Sequence, residues 1–207
     1  MKISHLPGAV LIFLFTFTGC ITIADINDFV RKIDRVWQLE YQRTEDEYRY
    51  RVIEADSATV YRAVRLTFLD LGLAIQKEST EPSMFIRGES EAPTPLSQEE
   101  WLEVRRIEGP KLSELGWMGS FGLVKDPSDY IVTIQITMKS YKNSTFLVLD
   151  YSLDAPKLRR VGINPQKYGP PTAVRLAAEK FWHKLADRLE AMKIKQPRRR
   201  TKEEFEI

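Results

Sequence analysis

Between residues 130 and 153 apolar and polar side chains alternate with a period of two, and this pattern constrains the fold more than any other feature of the chain. Val132, Ile134, Ile136 and Met138 alternate with Thr133, Gln135, Thr137 and Lys139; after Lys142-Asn143 the pattern resumes with Leu147, Leu149, Tyr151 and Leu153. Successive strand residues point to opposite faces, so each run reads as a strand with one core face and one wet face. The short polar connection makes the two an antiparallel hairpin. A lone hairpin with an apolar face is at best marginally stable in water, so other elements must cover it.

Two amphipathic helices supply cover. Val60, Val64, Phe68 and Leu71 recur at helical spacing while Arg62, Arg65 and Asp70 fall elsewhere on the wheel. Asp56-Ser57 provides N-cap chemistry, and Gly72 fits a left-handed C-terminal cap. Near the other end, Val174, Ala178, Phe181, Leu185, Leu189 and Met192 form one stripe, with Arg175, Glu179, His183 and Asp187 outside it; Glu179 stands one turn from His183 and can pair with it. Tyr48 to Glu54, Leu73 to Lys77 and Met84 to Gly88 read as further strands, the last two joined by a polar turn containing Pro82. The expected fold is α+β: an antiparallel sheet of four to five strands with two helices packed on one face, in the order β-α-β-β-(insertion)-β-β-α.

Residues 90–128 interrupt this order with Pro93, Pro95, Pro110 and Pro127 and with Gly109, Gly116, Gly119 and Gly122, although Gln98 to Ile107 could form a short helix. The stretch reads as an inserted surface feature. Its aromatic residues Trp101, Trp117 and Phe121 are candidate partner-binding anchors, with burial over the sheet as the alternative. Residues 20–47 read as an anchor and linker before a single domain over 48–192. Within that linker Phe29, Ile33, Val36 and Trp37 have helical spacing, consistent with a short amphipathic helix or a loosely packed segment. Residues 193–207, basic and then acidic, read as a disordered tail.

The N-terminus carries an address. Leu6 to Phe17 is almost free of polar side chains, too short to cross a hydrocarbon core about 30 Å thick but suited to the h-region of a signal peptide. It ends at Gly19-Cys20, and Cys20 is the chain's single cysteine. Small residues before a lone cysteine resemble the lipobox of bacterial lipoproteins. That resemblance implies cleavage between Gly19 and Cys20 and lipidation of Cys20, leaving about 188 residues tethered to a membrane outside the cytoplasm.

Little in the remainder points to a reaction. The 31 Lys and Arg nearly balance the 29 Asp and Glu, so no general attraction to nucleic acid is expected. His183 is the one histidine left after cleavage, which removes zinc sites of the usual Cys and His type, and no cofactor motif is present. Gly116-Trp-Met-Gly-Ser-Phe-Gly122 lacks phosphate-loop spacing.

The lipobox, followed by the helix Ala58 to Gly72 leading into Leu73-Ala-Ile-Gln-Lys77, resembles lipoproteins of the BamC type over residues 48–90 and 129–192. Those proteins accompany the machinery that assembles outer-membrane β-barrels and carry helix-grip-like domains. The resemblance implies a non-enzymatic envelope lipoprotein, a scaffold or accessory subunit binding another envelope protein. Ile21 in place of Asp after the cysteine implies the outer membrane, facing the periplasm. The alternative is a periplasmic module for a lipid or other amphiphile, since helices over a curved sheet can enclose an apolar cavity.

Overall fold

The computed structural model describes residues 22–80, 84–91, 93–116, 131–154, 167–201 and 203–204. The alternating runs become β4 (Ile131–Tyr141) and β5 (Ser144–Asp154), paired in register from Ile131 opposite Asp154 to Tyr141 opposite Ser144. Lys142 turns the hairpin with φ 52. β1 (Tyr50–Ile53), β2 (Ala74–Ser79), β3 (Met84–Glu91) and the two-residue β6 (Arg198–Arg199) complete an antiparallel sheet in the order β2-β3-β4-β5-β1-β6. The class is thus α+β as read from the sequence, with one more strand than expected.

Among the described residues four helices accompany the sheet: α1 (Ile23–Tyr48), α2 (Ser57–Asp70), α3 (Gln98–Ser113) and α4 (Pro171–Ala191). The two expected stripes lie in the core, with Val60, Val64, Phe68, Phe181, Leu185 and Leu189 fully buried. They meet the inward residues Val132, Ile134, Ile136 and Leu147. Phe68 and Phe181 pack edge to face with centroids 5.8 Å apart. As expected, Gly72 closes α2 with a left-handed φ of 72.

Gly88, midway along β3, lets Phe68 approach the sheet: a Cβ there would lie 2.5 Å from Phe68 Cδ1 and 3.1 Å from Leu73 Cβ. Gly88→Ala should therefore cost roughly 1–3 kcal/mol, the usual penalty of overpacking a filled core. Chemical denaturation checks this, and an unchanged midpoint would mean that the ring moves aside freely.

Three boundaries differ from the sequence reading. From Ile23 on, the expected linker is a helix: α1 spans 26 residues and buries Phe29, Ile33 and Trp37 in the main core, with Val30 buried beside them; Val36 is the one expected stripe residue left exposed. Its start is fixed by a capping box, with Asp25 N–H donating to Thr22 Oγ1 at 3.2 Å and Thr22 N–H to Asp25 Oδ2 at 2.9 Å. Residues 98–113 are no surface addition, because α3 contributes Trp101, Val104 and Leu112 to the same core. Pro110 sits inside α3, where its ring removes one N–H without ending the helix. The tail is also ordered in part: β6 pairs with β1, and Lys195 and Arg198 both form ion pairs with Glu54.

Candidate functional site

Glu108 is the most deeply placed charge in the described structure, with no exposed surface. α3 carries it to the junction of α1 and α4. There Trp37 Nε1 donates to one carboxylate oxygen at 3.0 Å, and Thr172 donates its N–H at 3.1 Å and its hydroxyl at 2.5 Å to the other. Lys111 Nζ lies 3.3 Å from the first oxygen and bonds to Glu40 at 2.6 Å. Three helices thus converge on one carboxylate whose lone pairs are engaged by protein donors. Such a group clasps the three helices together.

A second polar cluster ties α1 to the sheet. Tyr41 donates to the Tyr151 carbonyl at 3.1 Å, and Arg49 bonds Asp150 at 2.6 Å and lies 3.7 Å from Glu45. Burial raises the Glu45 pKa, partly opposed by Arg49. Burial also works against the Arg49 charge, but Asp150 and Glu45 outweigh it and leave the guanidinium more firmly protonated. The gap beside these groups, lined also by Leu149, Val174 and Ala178, measures about 20 Å³. That is room for a single water, far too little for an acyl chain.

The remaining polar side of α4 is arranged differently from the sequence reading. Glu179 accepts from Tyr48 Oη at 2.6 Å and from Arg175 at 3.0 Å, so it is engaged away from His183. Burial and that bond to Glu179 push the Tyr48 hydroxyl up to about 12. His183 instead lies 3.9 Å from Asp187, with 78% of its side chain exposed. It is a surface group.

Another candidate surface is the part of the sheet face opposite the core that lies toward β2 and the hairpin end; nearer β1 that face is covered, because Tyr50, Val52 and Val148 on it are buried. Register places Phe85 and Arg87 of β3, Thr137 and Lys139 of β4, and Phe146 of β5 on this face. At the hairpin end Tyr141 packs edge to face on Phe146, centroids 5.9 Å apart, and Lys142 Nζ lies 5.1 Å from the Tyr141 ring. Toward β2, Lys77 Nζ stands 5.6 Å from the Phe85 ring. Tyr141 is 44% exposed, and Phe85 and Phe146 are half-buried. Exposed aromatic rings are enriched in protein interfaces, and the lysines beside them add cation–π contacts and positive charge.

Of the residues singled out from the sequence, Trp101 is corrected: it is 2% exposed and belongs to the core, so it is no surface anchor. Burial was the alternative reading. Gly19, Cys20, Trp117 and Phe121 lie outside the described residues. The outer-face aromatics were not singled out, although the wet face of the β4 and β5 alternation was their signal. Among the described residues there is no group of three or more His, Cys, Asp or Glu placed to hold a metal, and no helix is long and apolar enough to cross a membrane. Comparison with family models, with curated proteins and with solved structures finds no match.

Proposed function

We propose that this chain is a non-enzymatic lipoprotein of the bacterial envelope, anchored through Cys20, that binds another envelope protein as a scaffold or accessory subunit. The observation that carries this reading is the outer sheet face, where Phe85, Tyr141 and Phe146 stand beside Lys77 and Lys142. Apolar area exposed together with positive charge suits a protein surface bearing acidic groups. The apolar run ending at Gly19-Cys20 supports placement at a membrane, and the BamC-type resemblance supports the outer one. The interior supports the scaffold over the amphiphile carrier: Phe68 and Phe181 fill the space between the two central helices and the sheet.

Combined Lys77→Glu, Tyr141→Ser and Lys142→Glu substitution should abolish recovery of the partner by crosslinking from intact cells. All three sites are exposed, and surface changes of this kind usually alter stability by less than about 0.5 kcal/mol each, so the melting temperature should scarcely move. Undiminished crosslinking would show that the partner binds elsewhere. In the same cells Cys20→Ala should release the protein from the membrane fraction and abolish incorporation of labelled palmitate.

A further inference from the structure

The sheet ends at β1 and β6, and this edge is incompletely made. β1 pairs along all four of its residues with β5, yet on its other side β6 meets only Arg51 and Val52. One further backbone bond, from Arg200 N–H to the Tyr50 carbonyl at 3.2 Å, extends the contact. Lys195 and Arg198 both reach Glu54, with 82% and 60% of their own side chains in solvent, and ion pairs this exposed are screened by water and add little. On either side of β6 the tail is held more firmly, by Ile194 against the core and by Arg200 bonded to Glu204 at 2.6 Å.

The charges across this edge are also mismatched. Arg51 and Arg199 are directly opposed in the register, and like charges facing each other across a strand pair are unfavourable. Burial lowers the Arg51 pKa, and the Arg199 charge lowers it further. Arg51 donates to the carbonyls of Glu47 and Tyr50, at 3.1 and 2.9 Å, and its guanidinium lies 5.2 Å from the Trp182 ring. Among the described residues no carboxylate forms an ion pair with it. Glu47 partly offsets the burial of this half-buried guanidinium, and the residue opposite it in the described part of the tail is a cation, not an anion.

We propose that the side of β1 facing away from β5 is a strand-addition site for an extended segment of a partner protein bearing a carboxylate opposite Arg51, and that residues 198–199 occupy this edge in the partner's absence. Main-chain hydrogen bonds would supply affinity, and the Arg51 position would supply selectivity, as in other cases where a peptide extends a sheet. The inference rests on the reading of the chain as a partner-binding protein and names the chemistry of the segment bound.

The test uses the full-length chain in detergent micelles, with Lys195→Ala and Arg198→Ala loosening the tail. The probes are two synthetic peptides of the sequence 194–204, one unchanged and one carrying Arg199→Glu. The acidic peptide should bind about five- to tenfold more tightly, and the unloosened chain should bind it more weakly, because its own tail competes. In a second measurement, Arg199→Glu in the otherwise unchanged chain should slow amide hydrogen exchange at residues 198–200 by a similar factor. Equal binding of the two peptides, or unchanged exchange, would overturn the proposal. So would dimers of the loosened chain that pair edge to edge, since a second copy would then be the occupant. If the outer-face substitutions abolish crosslinking while the edge shows no preference for acid, the functional reading stands and this inference falls.

Discussion

Glu108→Ala should lower the stability of the fold by roughly 3–5 kcal/mol, the cost of removing one partner from a buried charged network. The substitution strands the Trp37 indole N–H and both donors of Thr172 in the buried interior, while Lys111, partly exposed, keeps Glu40. A domain of this size holds about 5–15 kcal/mol in total, so the variant should be marginal at physiological temperature. Guanidinium titration followed by tryptophan fluorescence reads this directly, because Trp37 is itself a donor to the missing group. Glu108→Gln should fall between wild type and Ala, since it keeps an acceptor oxygen but turns an amide toward donors. Midpoints unchanged in both variants would show that the three helices are held by apolar packing alone.

The second large effect concerns α1. A chain beginning at residue 49 should fail to unfold cooperatively, whereas one beginning at residue 22 should behave as the native domain. Without α1, the core loses Phe29, Ile33 and Trp37, and Glu108 loses its indole donor. Trp37→Ala alone should cost about 3–5 kcal/mol, as large aromatic truncations in filled cores do. Normal thermal unfolding of the shortened chain would mean that α1 is an appendage, as the sequence reading had it.

The central hairpin, α2 and α4 were legible because each has a single environment on each side. The alternation of β4 and the stripe of α2 follow from one wet face and one dry face, and the capping residues Asp56 and Gly72 mark where α2 begins and ends. α1 was half legible: Phe29, Ile33 and Trp37 share a face, but the charged residues around them resemble those of a solvated linker. α3 was obscured by Gly109 and Pro110, which usually end helices. Here Pro110 is accommodated in the final turn region, while the capping box of Ser97 and Glu100 starts the helix firmly. β6 left no hydrophobic trace, because its order comes from backbone pairing and from Glu54, 141 residues away from Lys195 in sequence. Glu108 looked like one more surface carboxylate; only the convergence of Trp37 and Thr172 on it reveals its role.

The structure also changes what an anchor at Cys20 would mean. Thr22 caps α1, so only Ile21 separates the proposed lipidated residue from the cap of a helix integral to the core. An extended residue spans at most about 3.6 Å, so the folded domain would sit directly at the membrane surface with little freedom to search away from it. A partner reached through the outer sheet face or the β1 edge would then have to reside in, or close to, the same membrane.

The most direct measurement is the intact mass of the protein purified from the membrane fraction of a lipoprotein-processing bacterium. A mass corresponding to a chain that begins at Cys20 and carries acyl groups on it is predicted. A chain that retains residues 1–19, or one that begins at Cys20 without any acyl group, would contradict the account.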